Sequence, residues 1–174
     1  MSWRYRGRLA GIFPSLCALT HCSRVFIPSS FAILRASIFA SFIGNHNFDF
    51  SFDYYSSLIQ KLKGEKKFGI ALANKNMITE CESIGVDFYK VLSWHLKDYD
   101  YITDLLDKTS KHIYVSTGTS SLLDLDKFYQ RFGNINRISF IHTQLTFQPE
   151  DTNLKSIQTI TEKYKIPVGY GNHC

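Results

Sequence analysis

Two patterns of apolar residues alternate along the chain from about Tyr54 onward. Short, nearly continuous β-branched or aromatic runs are typical of strands buried on both faces, and the amphipathic stretches between them are typical of helices. The predicted strands are KFGIALAN, DFYKVLS, HIYVST, RISFIHT and IPVGYG. The last four start near Asp87, His112, Arg137 and Ile166, so the starts are 25, 25 and 29 residues apart. A βα unit has this length, and the spacing therefore predicts a parallel α/β sheet.

The amphipathic stretches complete the predicted architecture. They are SSLIQKLKGEKK, NMITECESIGV, DYDYITDLLDKTS, SLLDLDKFYQRF and DTNLKSIQTITEKY, and Gly85 is placed to end the second helix. At 174 residues the chain is shorter than the roughly 200 to 250 residues of a complete (β/α)₈ barrel. We therefore predict a partial TIM-type (β/α) barrel over residues 49–174, with residues 84–174 arranged as an open half barrel.

The first 48 residues have a different composition. They hold five arginines, many serines, no lysine and no acidic residue. We expect a poorly structured basic N-terminal segment, which is either an organelle transit peptide, a secretory signal, or upstream sequence wrongly included in the reading frame. Arg, Pro, His and Ser interrupt its apolar stretches, so no membrane span is predicted.

Charge and cysteine content exclude some classes of function. The net charge is +5, but removing the five N-terminal arginines from 20 basic residues leaves 15, which balance the 15 acidic residues. A neutral folded part argues against nucleic-acid binding. The four cysteines, Cys17, Cys22, Cys81 and Cys174, lack paired CxxC units and are interpreted as reduced thiols rather than zinc ligands or disulfides.

Polar residues follow the predicted strands at their C-terminal ends, where the active sites of such barrels lie. They are Lys90, Ser93, Ser116, Thr117, His142, Thr143, Asn172 and His173. A lysine, several hydroxyls and two histidines suit a phosphorylated anionic substrate and a divalent metal. Structural roles are the alternatives: the hydroxyls as helix caps, His142 as a core residue, and His173 as part of a terminal tail.

Four motifs in order resemble the sialic acid synthase family, also called N-acetylneuraminate synthase-like. IGVDFYKVLS resembles its lysine strand, IYVSTGTSSLLDL its STGM turn, ISFIHTQLTFQPEDTNLKSI its histidine-cysteine strand, and PVGYGNHC its VGYSDHT motif. Upstream, IGNHNFD is similar to its NHNG motif. The resemblance implies condensation of phosphoenolpyruvate with an N-acetylated amino sugar, assisted by a divalent metal, manganese or magnesium.

The same resemblance implies roles for individual residues. Lys90, Ser93 and Ser116 would bind phosphoenolpyruvate, and His173 would be a metal ligand. A cytoplasmic enzyme is expected, or an organellar one if residues 1–48 are a transit peptide, and a homodimer is possible for such a protein.

The chain departs from the family pattern at functional positions. Thr143 replaces a cysteine, Leu145 an asparagine, Phe147 a tyrosine, and Gly171 and Asn172 a Ser-Asp pair. Phe42 lies near the position of the usual glutamate of the first strand. Leu145, Gly171 and Phe42 together favour an alternative: a catalytically inactive barrel fragment that acts as an interaction or regulatory protein. A further alternative is another phosphate-binding barrel, such as an aldolase in which Lys90 forms a Schiff base.

Overall fold

Seven strands form one sheet in the described part of the chain. The structure is a computed structural model that describes residues 24–25, 31–34, 52–146 and 148–172. The strands are β1 (Arg24–Val25), β2 (Phe31–Leu34), β3 (Lys67–Leu72), β4 (Phe88–Val91), β5 (His112–Ser116), β6 (Ile138–Thr143) and β7 (Val168–Asn172). The helices are α1 (Phe52–Lys61), α2 (Ile78–Ser83), α3 (Tyr99–Lys108), α4 (Leu122–Phe132) and α5 (Lys155–Tyr164).

The sheet is parallel across most of its width and open at its ends. Its order is β1-β7-β6-β5-β4-β3-β2, and each neighbouring pair from β2 to β7 is parallel. Among the described strands, β1 and β2 stand at opposite ends and do not pair with each other. Helices alternate with strands from β3 to β7. The predicted partial (β/α) barrel is therefore confirmed.

Two pieces of the N-terminal segment belong to this sheet. β2 pairs in parallel with β3, and β1 pairs antiparallel with β7 through Arg24 opposite Asn172. The sequence analysis assigned no strand here because arginine and serine surround the apolar FAIL run, which is typical of a targeting segment. The remaining residues of 1–48 lie outside the described ranges, so the targeting interpretation stays a prediction.

The five α-helices of the described ranges pack on one face of the sheet. Side chains alternate along a strand, so Tyr89 and Val91 of β4 join the helices in the buried core while Phe88 and Lys90 lie on the other face. We call this other face the Lys90 face. Its members are fixed by strand register: Gly69, Ala71, Phe88, Lys90, His112, Tyr114, Ser116, Ser139, Ile141, Thr143, Gly169 and Gly171.

Local signals explain where helices begin and end. Gly85 ends the α2 segment with a φ of 80°, a left-handed conformation that glycine adopts without steric cost. Ser121 caps α4 through a capping box, in which its hydroxyl accepts from Asp124 N–H and the Asp124 carboxylate accepts from Ser121 N–H. α5 starts only at Lys155, after a 3₁₀ turn at Pro149–Thr152, so the predicted helix beginning at Asp151 is four residues too long.

Among the described residues, no helix combines the length and the apolar character that a membrane span requires. Cys81 is a buried free cysteine, and burial raises the pKa of its thiol to about 12. Cys81 is therefore a protonated core residue at neutral pH, while the other three cysteines lie outside the described ranges.

Candidate functional site

Lys90 occupies the Lys90 face near the C-terminal end of β4 and is only 5% exposed. It pairs in register with Tyr114 of β5, two residues before Ser116, so the Lys90 and Ser116 side chains emerge on the same face of adjacent strands. Both residues point away from the helix layer. A lysine is rarely buried this deeply unless it is paired or serves a function.

Ser93 follows β4 and is linked to the turn that follows β5. Its hydroxyl accepts a hydrogen bond from Gly118 N–H at 3.2 Å, and its carbonyl accepts one from the Thr119 hydroxyl at 2.9 Å. A Cβ at position 118 would stand 2.9 to 3.0 Å from Thr143 O, Leu145 Cγ and Ser93 Oγ. Glycine is therefore required where the loops after β4, β5 and β6 meet.

Ser116 and Thr143 form a buried hydroxyl pair across β5 and β6. Their oxygens are 2.7 Å apart, and the residues are 1% and 5% exposed. Thr143 Oγ1 also lies 3.2 Å from Ile141 O. The two hydroxyl protons can be arranged in two ways. If the Thr143 hydroxyl donates to Ile141 O, the Ser116 hydroxyl donates to Thr143 Oγ1. If the Thr143 hydroxyl donates to Ser116 Oγ instead, the Ser116 hydroxyl can donate to a ligand.

The other strand-end candidates have mainly structural contacts. The Thr117 hydroxyl donates to Ile141 O at 3.3 Å, so it links β5 to β6. His142 lies on the helix side of the sheet, stacks on Tyr170 with ring centroids 6.3 Å apart, and has Nε2 at 3.2 Å from Thr152 O. His142 is therefore on the opposite face from Lys90 and is not a member of its cluster.

Gln144 organises the loop after β6, and the sequence analysis did not identify it. Its side-chain NH₂ donates to Gln148 O at 2.5 Å, and its side-chain oxygen accepts from the Thr152 and Tyr170 hydroxyls at 2.6 and 3.0 Å. Its backbone N–H donates to Gly171 O at 3.0 Å. The sequence signal for Gln144 is its position directly after the buried strand β6.

Two predicted residues cannot be placed at this site. His173 lies outside the described residues, and so does the side chain of Asn172. Within the described ranges, no three or more His, Cys, Asp or Glu residues lie together in a group that could hold a metal ion. The proposed cluster is therefore described for Lys90, Ser93 and Ser116, and the metal role of His173 stays a prediction.

A phosphate-compatible set of side chains at the strand ends of a partial barrel agrees with one sequence comparison. Residues 46–174 match the profile of the NeuB family over well more than half of the 174-residue chain. The chain belongs to the NeuB family. No curated protein matches the chain in a sequence search.

Solved structures support the NeuB-type fold. The N-acetylneuraminic acid (sialic acid) synthetase from Leptospira borgpetersenii serovar Hardjo-bovis, in complex with citrate, is 19% identical with a TM-score of 0.66, and the match covers 80% of this chain and 52% of that one. A spore coat polysaccharide biosynthesis protein E from Chromobacterium violaceum is 16% identical with a TM-score of 0.67, covering 79% and 46%. The spore coat protein spsE from Bacillus subtilis is 14% identical with a TM-score of 0.61, covering 68% and 34%.

The chain spans about half or less of the length of the three solved structures. At such low identities the structural likeness shows the fold alone, while the sequence profile shows the family. Family membership supports a role in sugar biosynthesis.

Proposed function

We propose that this protein takes part in condensing phosphoenolpyruvate with an N-acetylated amino sugar, a reaction that releases phosphate and leaves a nine-carbon 2-keto acid. The observation that carries the proposal is the burial of Lys90, 5% exposed, on the same face as Ser116 at the strand ends of a NeuB-family barrel. A buried cation among hydroxyl groups suits an anion that carries both phosphate and carboxylate.

In this proposal Lys90, Ser93 and Ser116 bind phosphoenolpyruvate. Lys90 supplies the positive charge. The Ser93 oxygen already accepts from Gly118 N–H, so its own proton can be donated to the ligand, and no acceptor for that proton occurs among the described residues. Ser116 can donate once Thr143 turns its proton toward Ser116. Donors held in place before the ligand arrives need little reorganisation during the reaction.

A divalent manganese or magnesium ion, when bound, would polarise the sugar aldehyde as a Lewis acid. The donor set in the described ranges does not form a metal site, so His173 would have to act with donors beyond those ranges. A cytoplasmic location and a homodimeric assembly are further parts of the proposal.

Two observations favour the second candidate function, a catalytically inactive barrel fragment that acts as an interaction or regulatory protein. Leu145 is 44% exposed and lies beside Gly118, where it offers no hydrogen bond to a polar substrate. Gly171 also lacks a side chain, and a Cβ there would stand 2.9 Å from Ile141 Cγ2. A site with fewer side-chain donors binds an anion more weakly and orients it less well.

Calorimetric titration of the 174-residue chain with phosphoenolpyruvate tests the binding step. We expect Lys90→Ala to weaken binding about 10-fold or more, because a hydrogen bond to a charged group contributes about 1.5 to 3 kcal/mol. Lys127→Ala removes an exposed lysine of α4 and should leave the affinity unchanged. Equal affinities for wild type and Lys90→Ala would refute the assigned role of Lys90.

A second assay separates the two candidate functions. Manganese, phosphoenolpyruvate and N-acetylmannosamine are supplied together, and phosphate release and keto acid are measured. Product that disappears in Lys90→Ala supports the enzyme. Phosphoenolpyruvate binding without product supports the inactive barrel.

A further inference from the structure

Gln144 is a buried amide that uses its whole hydrogen-bonding capacity. The residue is 5% exposed and follows β6 directly. Its side-chain NH₂ donates to Gln148 O at 2.5 Å and to the Thr146 hydroxyl at 3.4 Å. Its side-chain oxygen accepts from the Thr152 hydroxyl at 2.6 Å and from the Tyr170 hydroxyl at 3.0 Å. An amide offers two donors and two acceptor positions, so all four are occupied.

The partners of Gln144 place its side chain on the helix side of the sheet. Tyr170 and Thr152 also contact His142, whose ring stacks on that of Tyr170 and whose Nε2 lies 3.2 Å from Thr152 O. His142 lies on the opposite face of the sheet from Lys90. The Gln144 side chain is therefore not part of the Lys90 face, and any effect on an anion bound there passes through the residues beside it.

The residues on either side of this glutamine border the candidate site. Thr143 comes before it and has its hydroxyl oxygen 2.7 Å from Ser116 Oγ. Leu145 comes after it, and Leu145 Cγ and Thr143 O lie 3.0 and 2.9 Å from the point where a Cβ on Gly118 would stand. Gly118 N–H in turn donates to Ser93 Oγ at 3.2 Å. A shift of this backbone would therefore disturb the contacts of both serines.

The network gives the backbone after β6 one fixed arrangement. We call the described residues 144–146 and 148–152 the β6 loop. The backbone N–H of Gln144 donates to Gly171 O at 3.0 Å, which extends the contact of this loop with β7. A buried polar network whose members are all satisfied specifies a single conformation. An apolar side chain of the same length would fill the space but would remove the acceptor of the Thr152 and Tyr170 hydroxyls.

We propose that Gln144 is a positioning residue, which holds the β6 loop against the turn after β5 and thereby sets the affinity of the Lys90 face for phosphoenolpyruvate. This inference rests on the proposed function. Ser93 and Ser116 can donate to the anion from fixed positions while the loop is held. Displacing such groups by about 1 Å weakens their action on a ligand, even when the displaced residues are unchanged.

Calorimetric titration of the 174-residue chain with phosphoenolpyruvate tests this role. Gln144→Met keeps a long unbranched side chain but removes the amide, and we expect about 10-fold weaker binding. Tyr170→Phe removes one hydrogen bond to Gln144 and should weaken binding about threefold. Gln158→Ala is the matched control, because Gln158 is exposed on α5 and donates to Glu162; its affinity should equal that of wild type.

A second measurement separates positioning from a loss of stability. Urea unfolding verifies that each variant is folded under the conditions of the titration. In the ligand-free ¹⁵N-labelled protein, the Gly118 amide reports on the hydrogen bond to Ser93 Oγ. We expect its chemical shift to change in Gln144→Met and Tyr170→Phe and to stay at the wild-type value in Gln158→Ala. A purely stabilising role of Gln144 would lower the urea midpoint but leave this shift and the affinity unchanged.

The outcomes distinguish this inference from the proposed function. Equal affinities for wild type and Gln144→Met would overturn the inference and leave the phosphoenolpyruvate site in place. If wild type does not bind phosphoenolpyruvate, the proposed function fails, and the Gly118 amide then decides the positioning role. A changed shift in Gln144→Met would support that role, and an unchanged shift would overturn it.

Discussion

Buried polar side chains on the Lys90 face are held by specific partners at the scale of single residues. His112 places Nε2 at 2.9 Å from Ser139 Oγ, and its ring lies 4.7 Å from that of Tyr114. Burial and the positive charge of Arg137 lower the pKa of His112 below its ordinary value of 6.5. The folded protein therefore holds His112 neutral under conditions in which the unfolded chain would protonate it.

The lowered pKa of His112 predicts a pH dependence of stability. The stability that neutral His112 contributes is fully present above pH 6.5, the pKa of its imidazole in the unfolded chain. It is lost as the pH falls from 6.5 through the lower pKa of His112 in the folded protein. His112→Gln has no titrating ring and should lose less stability between about pH 7.5 and about pH 5.5 than wild type. Urea unfolding at the two pH values measures the difference.

Ser139→Ala is the control for this experiment. It removes the hydroxyl partner of His112 but keeps the ring, the burial and Arg137, so the pH dependence should persist. If His112→Gln and wild type lose equal stability on acidification, His112 does not contribute as described.

At the scale of the elements, close contact between neighbouring strands limits which side chains are tolerated. β3 and β4 pair with Gly69 opposite Phe88. A Cβ at position 69 would overlap the Phe88 ring, which is 2% exposed and packs edge-on against Tyr114 with centroids 5.4 Å apart. The β3–β4 pairing therefore depends on the absence of a side chain at position 69.

Gly69→Ala should destabilise the protein by about 1 to 3 kcal/mol, because the Phe88 ring or the β3 backbone must shift to admit the methyl group. Gly169→Ala in β7 is the matched control. The nearest heavy atom to a Cβ there is Phe140 O at 3.9 Å, an ordinary contact, so stability should change by less than about 0.5 kcal/mol. Denaturant unfolding of both variants measures the effect, and equal losses would contradict this account of β3 and β4.

At the scale of the whole molecule, the centre of the sheet has more paired positions than the end at β1. β5 lies between β4 and β6, with four paired positions on each side. β7 pairs over four positions with β6 but over only two with β1. Ile113 and Val115 of β5 are fully buried in the core, whereas Val168 of β7 is only partly buried.

Native-state hydrogen exchange should therefore be slowest in β5 and faster in β7. Exchange from central strands requires larger unfolding events than exchange from strands near an open edge. Mass spectrometry or NMR of the 174-residue chain in deuterated buffer gives the rates. Exchange in β7 as slow as in β5 would show that the sheet end at β1 is more stable than its two paired positions indicate.

The sequence by itself determined most of the element order. Continuous apolar runs spaced at βα length predicted β3 to β7 and the helices between them, and Gly85 predicted the end of α2. The order of strands also indicated that Lys90, Ser93 and Ser116 lie at strand ends, because parallel strands have their C-termini at one edge. These features depend on local pattern and chain direction, and both can be read along the sequence.

Tertiary structure alone decided which residues meet. Only the fold paired Ser116 with Thr143 and made Gln144 the centre of a hydrogen-bond network. It also placed β1 and β2 at the two ends of the sheet. The physical reason is that contacts between residues far apart in sequence form only when the chain folds, and no local pattern of residues specifies them.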